Sequence, residues 1–410
     1  MRRPAQKWLA LGAAQLGYLL DAMDVLFYVF ALSAIRAEFG LTNQQAGLVS
    51  GLTLVTSAVG GVAAGALADR WGRRRTLIYT ILIYSLASGG AATSGNLAEL
   101  LFWRALIGLG LGGEWAAGAV LVAEWWPASQ RGRAMGIMQS GWALGYLAAA
   151  AISGFVLPRW GWRVLFLVGV LPALVTVVIR WTVEEPPVWI HRKADSDWRI
   201  LFRGSLAGLT LRATATATAV LLGYWGLFTW LPTFLAEPQS AGGAGLGVAA
   251  GSRWMMSVQL GALAGYLSFG WLADRFGRRP VFAAYVLAAA VLTPVYGLAT
   301  GSPGFLLALS PLLGFAGSGY FSVFGAMLAE LFPTAVRGIG LGFSYNFGRA
   351  LCALAPWGVG FVADRAGYGT GLALNASFFC ASALLMFTLP ETRCQSLDES
   401  ERGLIRGSGG

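Results

Sequence analysis

The chain has 410 residues, of which 56% are hydrophobic and only 12% are charged. A soluble domain carries about 25% charged residues, so this composition lacks the charge needed to cover a water-facing surface. The net charge of +10 lies in short loops beside apolar stretches, where it sets membrane topology rather than binding nucleic acid. The composition therefore predicts a polytopic membrane protein whose helices pack closely through small residues.

Twelve apolar segments follow one another along the chain, each long enough to cross a bilayer, which takes about 20 residues of helix. The first segment follows the basic start MRRPAQKW without a small-residue cleavage site, which indicates an uncleaved span. The predicted segments cover residues 8–33, 46–68, 76–94, 97–123, 133–157, 162–181, 207–235, 251–273, 281–299, 305–329, 338–362 and 369–389.

A sustained polar stretch, Val183–Phe202, divides the segments into two sets of six. We therefore predict an N-terminal six-helix bundle over 1–182, a central loop over 183–203, a C-terminal six-helix bundle over 204–390 and a tail over 391–410. If the N-terminus is cytoplasmic, that side carries 21 of the 29 lysines and arginines. The positive-inside rule then places both termini and the central loop in the cytoplasm.

Two loop motifs occur once in each half. The stretch GALADRWGRRRTL at Gly65–Leu77 returns 205 residues later as GWLADRFGRRPVF, with eight of thirteen positions identical. A second motif pairs Glu124 with Arg131 seven residues later, and it returns as Glu330 and Arg337. Repeats at half the chain length indicate one structural unit that was duplicated.

Three carboxylates, Asp21, Asp24 and Glu114, lie well inside the predicted segments, where an ionisable group is costly and functional by default. Asp21 and Asp24 share one helical face, and low dielectric makes ionisation of both costly, so one is expected to hold a proton. Alternatively, one of them forms a structural ion pair with Arg104. Glu114 lies ten residues before Glu124, about 15 Å along the helix axis, near the bilayer centre. It either couples protons or makes a buried hydrogen bond.

Arg349 is the sharpest candidate for substrate binding. It lies near the middle of the eleventh segment, with Asn346 one turn earlier, and a guanidinium with a neighbouring amide suits a carboxylate. Alternatively, Arg349 forms a salt bridge to an acidic residue across the cavity. The repeat counterparts of Arg349 and Glu114 are Ala143 and Tyr320. The two charges are therefore not shared by the halves, which favours a functional role.

Aromatic and amide side chains at helical spacing are expected to form the walls of a central site. Many of the 17 tryptophans must instead belong to interfacial belts or to packing. Gln139, Trp142 and Tyr146 share one face of the fifth segment. The other candidate wall residues are Tyr28, Tyr224, Trp225, Phe228, Tyr320 and Phe324.

The two GxLADRxGRR turns, the two Glu-x6-Arg loops, the central break and the tail Pro390–Arg393 resemble the major facilitator superfamily over residues 8 to about 395. The shorter motifs LDAMD, GGEW, MQSGWALGY and YNFGR are similar to those of sialate/monocarboxylate:proton symporters and related metabolite:proton symporters. The resemblance implies an all-α integral membrane fold of twelve helices in two pseudo-symmetric bundles. It also implies inward transport of a small organic acid with a proton.

The resemblance further assigns roles to residues. It links Arg104 to proton coupling, and it makes the repeated turns part of a cytoplasmic gate in which Asp69 braces the start of the eleventh segment and Asp274 that of the fifth. The alternative is that the basic residues only set topology. The predicted gate residues are Gly65, Asp69, Arg70, Gly72, Arg73, Arg74, Glu124, Arg131, Asp274, Arg275, Arg278, Glu330 and Arg337.

No metal, cofactor or nucleic-acid partner is expected, and the proton is the expected coupling ion. The single histidine, His191, lies in the central loop, so an intramembrane proton carrier must be a carboxylate. Cys352, Cys380 and Cys394 lack metal or disulfide spacing. The residues needed for enzyme catalysis do not form a recognisable motif within the membrane.

The expected function is symport of a proton with a small organic anion, a monocarboxylate, by alternating access. Asp21, Asp24 or Glu114 would carry the proton, and Arg349 with Asn346 would hold the carboxylate. The expected protein is a monomer in a cell membrane, the inner membrane of a bacterium. A sugar:proton symporter, a drug:proton exporter and a non-transporting membrane receptor remain alternatives.

Overall fold

The structure of the chain is a computed structural model that describes residues 2–41, 43–186, 198–333 and 336–393. Within these ranges the chain forms fifteen α-helices and no strand. His191, Cys394, most of the predicted central loop and most of the predicted tail lie outside the described residues. The helices are α1 (Arg2–Phe39), α2 (Asn43–Trp71), α3 (Arg73–Ala91), α4 (Leu97–Trp125), α5 (Arg131–Val168), α6 (Pro172–Thr182), α7 (Gly204–Ala236), α8 (Gly247–Phe276), α9 (Arg278–Leu298), α10 (Pro303–Gly319), α11 (Phe321–Leu331), α12 (Arg337–Leu351), α13 (Leu354–Ala366), α14 (Tyr368–Ala373) and α15 (Asn375–Met386).

These helices correspond to the twelve predicted segments once four interruptions are taken into account. Gly161 has a left-handed backbone (φ 75°) within α5 and separates the fifth segment from the sixth, which continues into α6. The tenth segment is divided at Tyr320, the eleventh between α12 and α13, and the twelfth at Leu374. The predicted all-α fold of twelve membrane segments is confirmed.

Eight stretches of the described residues are long and apolar enough to cross a membrane by length and composition. One of them, Ala128–Leu174, contains both the fifth segment and the start of the sixth. The first stretch covers Ala5–Ala31, so Glu38 lies beyond its end.

Small residues allow α2 and α4 to touch backbone to backbone. A Cβ atom added to Gly112 would overlap the carbonyl oxygen of Ser57, and one added to Gly60 would overlap that of Leu109. Membrane helices gain most of their packing energy from such close approaches, because lipid supplies no hydrophobic force between helices. The glycine-rich composition therefore has a structural use in the N-terminal half.

The two halves meet where the basic turns lie. There, α2 packs against α12, and α5 packs against α8. A Cβ atom on Gly65 would lie 2.5 Å from the carbonyl oxygen of Gly338, and one on Gly270 would overlap the carbonyl oxygen of Gly132. This end of the molecule, which we call the gate end, is closed in the structure.

Candidate functional site

Two aspartates, one from each repeated basic turn, hold the start of a helix in the opposite half. Asp69 accepts hydrogen bonds from the backbone N–H groups of Gly338 (3.0 Å) and Ile339 (2.8 Å) in the first turn of α12. Asp274 accepts two from the first turn of α5, donated by Gly132 at 3.0 Å and its successor at 2.9 Å. A carboxylate suits a helix N-terminus because the N–H groups there lack partners within the helix. Both contacts are those that the family resemblance implies.

Glu124 connects the two halves through arginines from each. It accepts hydrogen bonds from Nε of Arg73 in its own half (2.9 Å) and from Nη1 of Arg337 in the other half (2.8 Å). Arg73 also pairs with Asp69 at 3.1 Å. All four side chains are buried, so loss of one partner would leave an uncompensated charge away from water.

Glu330 occupies the equivalent position in the C-terminal half. Nη1 of Arg131, from the N-terminal half, lies 2.7 Å from Oε1 of Glu330, whereas Nη2 of Arg278 lies 3.3 Å from the same atom. The Thr392 hydroxyl donates to Oε2 of Glu330 at 2.6 Å. The repeat counterpart of Thr392 is Pro186, which has no hydroxyl. The two halves of the gate therefore share their ionic pairs but differ in this donor.

The gate network is defined here as the buried set Asp69, Arg73, Glu124, Arg131, Asp274, Arg278, Glu330 and Arg337. Gly72, also predicted for the gate, makes the turn between α2 and α3 with a φ of 107°. Arg74 donates from Nη1 to the carbonyl oxygen of Val183 at 3.0 Å. Contrary to expectation, Arg70 and Arg275 are exposed and lie outside the network. Each follows its aspartate by one residue, and the helix turns it about 100° away.

Two glutamates that the sequence analysis missed support the same turns. Glu185 accepts hydrogen bonds from the first two N–H groups of α3 (2.9 and 3.1 Å), and Glu391 does the same for α9 (2.8 and 3.1 Å). Burial raises the pKa of Glu185, while the backbone donors oppose that rise. The signal was present in the sequence, since each glutamate follows the last segment of its half at an offset of 206.

A cavity lined mainly by aromatic side chains lies between the two halves. Its wall includes five residues that the sequence analysis did not assign to the site. The predicted residues in the wall are Asp21, Gln139, Trp142, Tyr224, Trp225 and Arg349. The additional residues are Tyr18, Trp115, Tyr266, Phe321 and Tyr345.

Arg349 and Asp21 bring opposite charges to this cavity from opposite halves. Both are buried, with 6% and 1% of their surface exposed. Nε of Arg349 and Oδ1 of Asp21 lack a hydrogen-bond partner among the described residues. Buried polar atoms normally have partners, so this pair is suited to bind a polar ligand in the cavity.

The stacked rings of Trp115 and Tyr345 also join the two halves in the cavity wall. Their ring centroids lie 3.9 Å apart at an interplanar angle of 25°. Trp115 donates from Nε1 to Oε1 of Gln139 (3.1 Å), and Gln139 donates from Nε2 to the Tyr18 hydroxyl (3.1 Å). All three hydrogen-bonded residues belong to the N-terminal half, so this half orients the tryptophan ring.

Asp24 does not line the cavity. Its Oδ2 lies 4.0 Å from Nη1 of Arg104, and Ser88 donates to its Oδ1 at 2.6 Å. The Arg104 guanidinium lies over the Tyr28 ring at 4.7 Å and donates from Nε to the Thr53 hydroxyl at 3.2 Å. The structure therefore has Asp24 in the alternative arrangement, an ion pair with Arg104.

Glu114 lies behind the cavity wall and is fully buried. Neither carboxylate oxygen has a hydrogen-bond partner among the described residues. Its carboxyl group packs against Gly17 of α1, one helical turn before Asp21. The predicted alternative of a buried hydrogen bond is not found in the described part of the chain.

Asn346 does not join Arg349 in the cavity wall. Its Nδ2 donates to the Gly342 carbonyl oxygen at 2.9 Å, and its amide packs over Gly61 of α2. Two residues three positions apart on a helix differ in direction by about 60°. This difference turns Asn346 towards α2, so the predicted clamp of Arg349 with Asn346 is not formed.

Several predicted wall residues pack inside their own halves instead. Tyr28 lies under Arg104, and Tyr146 lies against Phe30 with ring centroids 6.2 Å apart. Phe228 packs on Gly317. Beyond the break at the end of α10, the rings of Tyr320 and Phe324 lie against Phe282 of α9, with centroid distances of 5.7 and 5.4 Å. In the part of the chain described, no cluster of three or more His, Cys, Asp or Glu residues is suited to a metal ion.

Comparison with known proteins agrees with this architecture. The family profile of the Major Facilitator Superfamily matches residues 15–253 and 240–406. The structure of the proton:xylose symporter XylE, bound to 6-bromo-6-deoxy-D-glucose, superposes with a TM-score of 0.83 at 20% identity, covering 98% of this chain and 100% of that one. At that identity the likeness shows the fold alone.

Three relatives extend the likeness to the sequence. A putative metabolite transport protein of Haemophilus influenzae is 34% identical over 95% of this chain and 98% of its own. The cis,cis-muconate transport protein of Acinetobacter baylyi is 30% identical over 90% and 91%. The niacin transporter NiaP of Acinetobacter baylyi is 31% identical over 83% and 84%. The chain therefore belongs to the Major Facilitator Superfamily and is a multi-pass membrane transporter rather than an enzyme.

Proposed function

We propose that the protein is a proton-coupled symporter of a small organic anion, a monocarboxylate, and that it works by alternating access. The observation that carries the proposal is the placement of Arg349 and Asp21 in one cavity, from opposite halves. Each has a polar atom without a hydrogen-bond partner in the part of the chain that the structure describes. A guanidinium is the side chain best suited to a carboxylate. A carboxylate in the same cavity is suited to the proton.

The two charges explain why proton and substrate would travel together. Without substrate, Asp21 is the carboxylate that faces Arg349 across the cavity. A substrate carboxylate must compete with it, and two carboxylates cannot share one guanidinium at low cost in a dry site. Protonation of Asp21 removes the competitor, and the loaded cavity then holds one cation, one anion and one neutral acid. A neutral load favours the change of conformation within the membrane.

The aromatic wall narrows the class of substrate. Rings of tryptophan and tyrosine offer flat, apolar faces that stack with a planar conjugated system. Two relatives are named for conjugated or aromatic acids: cis,cis-muconate, which carries two carboxylates, and niacin, which carries one. We therefore place the substrate among flat, conjugated or aromatic carboxylic acids.

The protein is oriented in the membrane with its gate end towards the cytoplasm. The gate end carries the excess of lysine and arginine, so it faces the cytoplasm, together with both termini. The proton is the only coupling ion, and the working unit is a monomer in the inner membrane of a bacterium. Inside-out vesicles in which the gate end is accessible from the outside to protease would support this orientation.

Uptake into proteoliposomes tests the proposal, with an inside-alkaline pH gradient and a pH dye in the lumen. A panel of planar acids and neutral sugars should show acid uptake together with proton entry. Arg349→Ala should raise the Kd for the transported acid by about 30-fold, because a hydrogen bond to a charged group contributes about 1.5–3 kcal/mol. Arg349→Lys should lose less, since it keeps the charge.

Arg365→Ala is the matched control, because Arg365 is exposed and lies over the Phe361 ring at 3.6 Å. It should bind the acid as the parent protein does. Unchanged affinity in Arg349→Ala would refute the assignment of the carboxylate site. Stronger thermal stabilisation by a neutral sugar than by every acid would favour a sugar:proton symporter instead.

A further inference from the structure

We propose that Gly17 is the positioning residue for Glu114, and that it seats this carboxyl group in a notch of α1 where it exchanges a proton with Asp21. The inference rests on the proposed function and goes beyond it, because it assigns a task to a residue that has no side chain. It also divides the three intramembrane carboxylates by task.

The notch is shaped by the absence of a side chain at Gly17. A Cβ atom at this position would collide with Oε1 of Glu114 and would lie 3.3 Å from its Cδ atom. It would also lie 3.5 Å from Cδ1 of Ile81 on α3, which is an ordinary van der Waals contact. Only glycine leaves room for the carboxyl group against the α1 backbone.

The carboxyl group in the notch has the surroundings of a proton-accepting site. It is fully buried, and neither oxygen has a hydrogen-bond partner among the described residues. Burying an ionised carboxylate without a partner costs much free energy. The Glu114 carboxyl group must therefore hold a proton, or exchange one with a close neighbour. The titratable groups that interact with it electrostatically are Asp21 from α1 and Tyr84 from α3. In the described residues no arginine or lysine from α2, α5, α11 or α12 pairs with Glu114.

The register of α1 sets the direction of exchange. Gly17 and Asp21 lie four positions apart and share one face of the helix, so the notch holds Glu114 next to Asp21. Asp21 lines the cavity, whereas Glu114 does not. A proton that enters through the cavity therefore reaches Asp21 first and Glu114 second. Asp24 faces other groups: Ser88 donates to its Oδ1 at 2.6 Å, and its Oδ2 lies 4.0 Å from Nη1 of Arg104.

Gly17→Ala tests the inference, with Gly12→Ala as the matched control on the same helix. No described residue lies within 4 Å of a Cβ atom at Gly12, so its substitution adds the same methyl group without such a collision. Infrared difference spectra of the purified protein between acid and neutral pH report the C=O band of protonated carboxyl groups. A band that Glu114→Gln removes identifies Glu114, and this measurement does not depend on transport.

In Gly17→Ala, the Glu114 band should move in frequency and titrate about one pH unit away from its original midpoint. Proton-driven uptake should fall by about 10- to 100-fold, because misplacement of a reacting group by 1 Å can cost about 100-fold. Substrate counterflow, which needs no net proton movement, should be much less affected. Gly12→Ala should match the parent protein in every measurement.

Folding is checked by the melting temperature. If Gly17→Ala is destabilised, Gly17→Ala with Glu114→Ala should recover most of the loss, because the added methyl group then meets no carboxyl group. A Glu114 band that is unchanged in Gly17→Ala would overturn the inference, as would a loss of stability that Glu114→Ala does not relieve. Failure of the proposed function would appear separately, as acid uptake without proton entry in the parent protein.

Discussion

Asp69→Asn should shift the protein from the conformation closed at the gate end towards the one that is open there. Asp69 accepts hydrogen bonds from Gly338 and Ile339 at 3.0 and 2.8 Å and pairs with Arg73 at 3.1 Å. The amide keeps one acceptor oxygen, but its NH₂ group then faces an N–H donor. Loss of one hydrogen bond to a charged group removes about 1.5–3 kcal/mol. Because every 1.4 kcal/mol is tenfold, a loss of about 2 kcal/mol shifts the equilibrium about 30-fold.

The assay measures access to a single cysteine in the cavity wall, Trp225→Cys, in a background where Cys352, Cys380 and Cys394 are serine. A membrane-impermeant thiol reagent is applied from the gate end in oriented vesicles, and Asp69→Asn should increase the labelling rate. Glu99→Gln is the control, because it makes an equivalent change at an exposed helix N-terminus. If Asp69→Asn has the melting temperature of the parent protein and its labelling rate is also unchanged, the aspartate does not hold the gate closed.

Three further predictions test packing and electrostatics elsewhere. Trp115→Ala removes the ring stack between the halves, whose centroids lie 3.9 Å apart; such a stack contributes about 0.5–1.5 kcal/mol beyond burial. The variant should therefore increase the labelling rate of the same cysteine from the gate end. A labelling rate equal to that of the parent protein would contradict this. Gly112→Ala places a methyl group against the α2 backbone and should lower stability in detergent by about 1–3 kcal/mol, whereas Gly12→Ala should not. The pKa of Glu38 is lowered chiefly by the hydrogen bond from Trp162. The ionised carboxylate therefore stabilises the fold at pH values above the ordinary carboxyl pKa, and this stabilisation is lost as the pH falls through the lowered pKa. Glu38→Gln should therefore lower the melting temperature slightly at pH 7, because the free energy of unfolding falls by less than about 1 kcal/mol. No difference is expected below about pH 4, and an equal loss at both pH values would disprove the link to ionisation.

The gate contacts could be predicted from the sequence because the family resemblance implies them and the turn that makes them is repeated. Asp69 and Asp274 lie at the same place in two copies of one turn, and each faces the first turn of a helix whose boundary is marked by the Glu-x6-Arg motif. A helix N-terminus offers unpaired N–H groups whatever its side chains are. The prediction of these contacts rested on the family resemblance, and the element boundaries and the symmetry of the repeat agree with it.

The cavity wall was predicted less completely, for a physical reason. In helices that are apolar all round, the hydrophobic pattern does not indicate which face is turned inward, so Asn346 and Tyr146 were placed in the wall by spacing alone. Breaks within segments, such as the one at Tyr320, change the facing direction of everything that follows. Trp115 and Tyr345 were present in quoted motifs, but the stack between them is a contact between halves that neither half encodes alone.

The contacts of the gate network between the two halves are arranged so that they would break together. Glu124 is held by Arg337 of the other half, and Glu330 is held by Arg131 of the other half. Each aspartate holds a helix of the opposite half as well. Separation of the halves at this end therefore breaks all of these contacts together, and a partial opening would leave buried charges without water or a partner. The ionic contacts shared by both halves thus act as one unit at the gate end. Under the proposed function, the charges that the repeat does not share, Arg349 and Glu114, would respond to the load.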